Sequence, residues 1–197
     1  MDPKTPSSIQ DSSKKQGESV KSQKEIIWKQ KIAEVNEITD RLGKKIDEKI
    51  KKTVVAFLAY KFDTIGSCEG HIAENEEEEH GLPYPWVEIY APVPEEWQES
   101  EGEKKKQLEK ILSMNNFRQQ RKMMLLLEKF YQKRETPFDA RLIFEKIGIF
   151  GGFRIQSFGA RMMTIFNPEE KKQRLEIYRK EMEDFTDFLK SEYFSEK

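Results

Sequence analysis

The sequence predicts an α+β fold: a small, mostly antiparallel sheet covered by several helices, with a long helix or helix pair in the middle and a C-terminal helix. Three observations lead there. Apolar residues recur every three or four positions in several stretches, two-residue alternation marks short segments between them, and Gly and Pro punctuate the junctions. The 197 residues include 36% hydrophobic side chains, and 35 Lys plus Arg stand against 36 Asp plus Glu. That composition suits one soluble globular domain with extra polar sequence attached.

Residues 1–24 are rich in Ser, Lys, Gln and Pro, with only Met1, Ile9 and Val20 as apolar side chains. So few cannot offset the entropy of ordering the backbone, so a disordered polar tail is expected, followed by a single domain over 25–197. From Glu25, the spacing of Ile32, Val35, Ile38 and Leu42 predicts a helix that Gly43 stops. Asp47 reads as the N-cap of a second helix, reaching about Tyr60 with Ile50, Val54, Phe57 and Leu58 on its buried face. Phe62 to Ser67 reads as a short strand or turn. An acidic loop follows at about 72–84, and Trp86 to Ala91 alternates like a half-buried strand between Pro83, Pro85, Pro92 and Pro94.

Helical spacing returns from Glu103 to about Glu135, with a possible interruption at Ser113 to Asn116. Leu142 to Ile147 reads as a strand, and Gly152 to Phe158 with Arg161 to Phe166 as a hairpin closed by Gly159 and Ala160. Asn167, Pro168, Glu169 and Glu170 make the clearest helix start in the chain. Leu175, Tyr178, Met182, Phe185 and Leu189 form the stripe of that last helix.

The longest apolar runs, Val54 to Tyr60 and Met123 to Leu127, fall far short of the roughly 20 residues that cross a bilayer. The polar N-terminal residues carry no apolar core of a secretory signal. A single cysteine, Cys68, cannot form an intramolecular disulfide, so a reducing, cytoplasmic location and no membrane contact are expected.

Cys68, His71 and His80, all of the chain's Cys and His, fall within thirteen consecutive positions. This spacing allows three metal ligands and an open fourth position, the arrangement of a catalytic zinc site, with Glu69, Glu74 or Glu76 to Glu79 as possible completing ligands. Cys68 could instead be a nucleophile with His71 as its base. Charge opposes that, because Phe62 to Gly102 holds twelve acids and no Lys or Arg, and nearby anions raise a thiol's pKa. The third reading is a tight buried turn of Ser67, Cys68 and Gly70 with Cys68 as a small hydrophobe.

Outside the acidic stretch, Lys and Arg exceed Asp and Glu. The excess centres on residues 112–165, where Arg118, Arg121, Lys122, Arg154 and Arg161 interleave with Phe117, Phe130, Tyr131, Phe150 and Phe153. Cations beside aromatics suit phosphate contact with base stacking, and equally suit a solvated face over a packed core. The leading expectation is a binding domain in which Ser67, Cys68, Glu69, Gly70 and His71 share a cleft with Arg154 and Arg161. Its ligand would be a phosphorylated small molecule or RNA. A metal-assisted hydrolase and a partner-binding helical scaffold are the competing expectations.

The run Leu42-Gly43, Ile46-Asp47-Glu48, Val54-Val55, Ser67-Cys68-Glu69-Gly70-His71 and Pro85-Trp86-Val87 resembles small bacterial and phage proteins of unassigned function with the same Ser-Cys-Glu-Gly-His loop. It is similar, more distantly, to the tRNA methyltransferase family that acts on a wybutosine precursor, with Gly152-Phe153-Arg154 and the Lys-rich final helix matching later pieces. That likeness implies a shared α+β fold, a nucleotide- or tRNA-modifying activity and S-adenosylmethionine as cofactor. His71 stands where that family has Arg, and an acidic insert follows it.

Overall fold

The computed structural model describes residues 9–40, 42–72 and 81–195. Four helices and a four-stranded antiparallel sheet make an α+β fold, as the patterning predicts. In chain order these are α1 (Ile9–Glu37), α2 (Lys51–Ala59), β1 (Thr64–Cys68), β2 (Trp86–Ile89), α3 (Gly102–Tyr131), β3 (Leu142–Ile147), β4 (Gly152–Ser157) and α4 (Pro168–Ser195). Among the described residues no helix is long and apolar enough to cross a membrane.

Helix α1 begins at Ile9, inside the segment whose composition predicts disorder, and the remainder of that segment, residues 1–8, lies outside the described residues. Lys, Gln and Glu are good helix formers, and extending a helix from an anchored end costs far less than nucleating one. Trp28 and Val35 supply that anchor against α2 and α4, whereas Ile32, Ile38 and Leu42 of the expected stripe are exposed. The helix also stops earlier than Gly43. Asp40 accepts hydrogen bonds from the Leu42 and Lys44 N–H groups through one carboxylate oxygen, a turn that competes with continued helix.

Helix α2 is buried nearly all round, through Thr53, Val54, Val55, Ala56, Phe57 and Ala59. Its N-cap is Ile50 rather than Asp47, whose carboxylate is engaged elsewhere. Helix α3 is continuous, so the expected interruption at Ser113 to Asn116 is absent. The fully buried Asn116 bonds sideways, accepting the Ala91 N–H at 2.6 Å and donating to the Phe150 carbonyl at 3.0 Å. Helix α4 starts as predicted, with Asn167 and Glu170 bonding each other's backbone N–H groups in a capping box.

The strand order is β1-β2-β4-β3. The hairpin is therefore β3–β4, closed by a turn in which Gly148 and Gly151 take positive φ, and not the expected pairing across Gly159 and Ala160. Phe158–Met162 winds into a 3-10 turn instead. Val87, Ile89, Phe153 and Ile155 face the helices and are completely buried, each worth about 1.5–3 kcal/mol relative to exposure. The other sheet face carries a row set by register, Cys68 beside Trp86, Trp86 beside Gln156, and Gln156 beside Ile143. A smaller cluster of Ala140, Met163, Leu175 and Tyr178 gathers Ile72 and Tyr84, the two flanks of the acidic loop.

Candidate functional site

Strand β1 ends at Cys68, and the chain then makes the tight bend Glu69-Gly70-His71. Gly70 has φ +83°, and a Cβ there would stand 2.6 Å from Leu175 Cδ1 and 2.7 Å from the Tyr84 backbone carbon. Only glycine fits both the backbone angle and the space. Three distant segments hold the bend. The Arg179 guanidinium of α4 donates to the Glu69 carbonyl at 3.0 Å and the Gly70 carbonyl at 2.7 Å. The Lys49 N–H donates to the Glu69 carboxylate at 2.9 Å, and the His71 N–H donates to the Leu82 carbonyl at 2.9 Å.

Asp47 completes the assembly. One of its carboxylate oxygens accepts the Glu69 N–H at 3.2 Å and lies 3.0 Å from His71 Nε2. Burial alone would raise the Asp47 pKa, but these bonds and the nearby Lys44 outweigh burial and hold it below the usual carboxylate value. The Cys68 thiol moves the other way. Burial raises it first and the Asp47 charge adds to this, against N–H bonds from Gly70 and Leu82 that favour the thiolate.

The result is a triad of Asp47, Cys68 and His71 whose ligand-capable atoms all lie within 4.8 Å of one another. Around a tetrahedral zinc with bonds of about 2.0–2.3 Å, such atoms stand about 3.5 Å apart, so small side-chain rotations suffice. Gly70 N donates to Cys68 Sγ at 3.3 Å, the kind of outer-shell contact that supports a thiolate ligand. The triad lies at the wall of a cavity of about 370 Å³ that is also lined by Lys44, Lys45, Ile65, Ser67 and Trp86. Of His71, the base expected for a nucleophilic Cys68, Nε2 lies 3.0 Å from Asp47 Oδ2.

The structure thus brings Ser67, Cys68, Gly70 and His71 together, with Ser67, Cys68 and His71 lining the cavity. Glu69 turns away toward Lys49 and Arg179. Arg154 and Arg161 do not line this cavity. Arg154 is packed over the Trp86 ring at 4.5 Å and paired with Glu88. Arg161, on the 3-10 turn, is paired with Glu145. His80 lies outside the described residues, although a Cβ on its neighbour Gly81 would come within 3.3 Å of Cys68 Sγ.

Two residues that build this cluster escape sequence reasoning. Asp47, twenty-one positions before Cys68, carries the signature of a helix cap, and its role is visible only once β1 is laid beside the α1–α2 connection. Arg179 is one cation among many on a Lys- and Glu-rich helix, and no local signal marks it. Comparison with protein-family models, curated proteins and solved structures finds no match for this chain.

Proposed function

We propose that the chain is a metal-dependent protein whose centre is Asp47, Cys68 and His71, with one coordination position open toward the adjoining cavity. The observation that carries this reading is the convergence of a carboxylate, a thiol and an imidazole within 4.8 Å at a cavity wall. A soft thiolate with an imidazole and a carboxylate favours zinc or a neighbouring transition metal over magnesium or calcium. An ion held there would polarise a carbonyl or phosphoryl oxygen and acidify a bound water to about neutral pKa, the two requirements of hydrolysis. The chain's own residues supply the positions. Arg179 and Lys49 fix the bend from outside, and the Gly70 N–H faces the sulfur. The cytoplasmic location expected from the sequence belongs to the same reading, since a thiol ligand persists in a reducing compartment.

The phosphate- or RNA-binding reading has less support. It relied on Arg154 and Arg161, and both guanidiniums already face carboxylates. The test is metal content after chelation and reconstitution, read by elemental analysis and by the thiolate-to-metal absorption of the cobalt-substituted protein. About one ion per chain is expected in the wild type, with its loss in Asp47→Asn, Cys68→Ser and His71→Ala variants that keep the wild-type circular dichroism. A wild type that stays metal-free, or an Asp47→Asn, Cys68→Ser double variant that keeps its ion, overturns the proposal.

A further inference from the structure

We infer that the cavity beside this centre takes a small amphipathic anion, a carboxylate or phosphate attached to an apolar body. The inference rests on the metal reading and extends it from the ion to the ligand. Its first support is the turn that connects α1 to α2. Asp40 N–H bonds to the Lys44 carbonyl, Gly43 N–H to the Asp40 carbonyl, and Thr39 bridges to Lys45. This places Lys44 and Lys45 together on the cavity lining, with Lys44 Nζ only 4.0 Å from Asp47 Oδ1.

The sign of the cavity follows. A divalent ion is balanced by the Asp47 carboxylate and the Cys68 thiolate that bind it, which leaves the two lysines against Asp40 among the described lining residues. Asp40 already accepts the Leu42 and Lys44 N–H groups at 2.8 Å, so its charge is turned into the turn itself. Among the described lining residues the loaded cavity is therefore cationic beside Asp47, where Lys44 stands. The lining also favours a ligand with apolar surface over a purely ionic one, since Ile38 and Ile65, 39% and 59% exposed, line it together with Trp86. Apolar side chains left open beside paired cations match a ligand with both characters. A volume of about 370 Å³ is at the small end of small-molecule sites and too confined for a folded macromolecule.

The test uses calorimetric titration of the zinc-loaded chain with three aromatic probes of one shape and one bare anion: phenylacetate, benzylphosphonate, 2-phenylethanol and inorganic phosphate. The two aromatic anions are expected to bind at least tenfold more tightly than the alcohol or phosphate, and their relative strength tells whether the planar or the tetrahedral anion is preferred. Lys44→Ala, Lys45→Ala should weaken the aromatic anions about tenfold and leave the alcohol unchanged. Ile65→Ser should weaken all three aromatic probes and spare phosphate. Both sites are surface positions, and metal content is measured on every sample. A chain that holds its ion but binds no probe, or binds the anions as well without the two lysines, overturns this inference alone. A chain that takes up no ion overturns the reading beneath it.

Discussion

Two polar clusters in this molecule tie distant segments together, and they differ in what they leave unused. At the middle of α4, Glu181 is 4% exposed and accepts bonds from the Tyr131 hydroxyl, the Arg134 guanidinium and the Thr136 hydroxyl. Arg134 also reaches Asp184 and lies over the Phe130 ring, and the Tyr131 oxygen takes the Leu142 N–H. Every strong donor and acceptor there is answered from within the chain. Two residues N-terminal to Glu181, the same helix sends Arg179 to the Cys68 bend. In that second cluster a carboxylate, a thiol and an imidazole converge with coordination capacity to spare beside a cavity. Saturated polar clusters hold folds together, whereas converging ligands with unspent capacity mark sites of chemistry.

The largest effect expected from breaking this contrast is at the saturated cluster. Glu181→Ala leaves the Arg134 charge and the Tyr131 hydroxyl short of their buried partner, a loss of about 3 kcal/mol. Asp184 still engages Arg134, which keeps the loss near the lower end of the range for a broken buried pair. Urea denaturation should show it as a lower midpoint with unchanged slope, while metal uptake per folded chain stays at the wild-type level. Loss of the ion with unchanged stability would reverse the roles assigned to the two clusters.

Gly70→Ala attacks the other cluster through its backbone. The alanine must hold φ near +83° while its Cβ meets Leu175 and the Tyr84 backbone. A cost of about 2–3 kcal/mol is expected from strain and displaced packing. Unlike Glu181→Ala, it should also abolish metal uptake, because the bend that aligns Cys68 with His71 has to move. Denaturation and elemental analysis of the same sample check both halves.

How much of this contrast is legible in the sequence follows from the range of the interactions involved. The α4 start is legible because Asn167 and Glu170 bond within one turn. The apolar alternation of Val87 and Ile89 likewise announces a half-buried strand. The hairpin is misread because two pairs of short apolar segments compete for one turn, and the winning turn needs positive φ at both Gly148 and Gly151. Cys68 and His71 are legible as a pair since they stand three positions apart. Asp47 is hidden by a second valid use for an acid before a helix, and the choice is made by the position of β1. Arg154 and Arg161 look available in one dimension because Glu88 and Glu145 that neutralise them come from other segments.

Arg179→Ala sharpens the contrast with a smaller stability change. The guanidinium is mostly covered and donates to two carbonyls of the bend without touching the Asp47, Cys68 and His71 side chains proposed to hold the ion. Its removal should weaken zinc binding about 10–100-fold, as loss of an outer-shell support does, and cost only about 1 kcal/mol of stability. Competition with a chelator of known affinity measures the first and thermal denaturation the second. Arg179→Lys should recover little, since one ammonium cannot span both carbonyls as the planar fork does. An affinity unchanged in both variants would make Arg179 a packing residue only.

The smallest effect concerns acid stability at the saturated cluster. Burial alone would raise the Asp184 pKa, but hydrogen bonds from Lys180 and Arg134 outweigh it and leave the carboxyl below its usual value. A carboxyl depressed in the folded state stabilises the fold above the unfolded value of about 3.9, and this contribution fades as pH falls through the folded value. Asp184→Asn should therefore lower stability at neutral pH by no more than about 1 kcal/mol, because the group is partly solvated and Lys180 is exposed. Below about pH 3 the variant and the wild type should converge. Glu181 faces the same Arg134, so the measurement is best made as the difference between the two proteins across pH rather than as the acid limb of either. A gap that persists undiminished at low pH would show that Asp184 acts through packing, and that ion pairing is not what saturates this cluster.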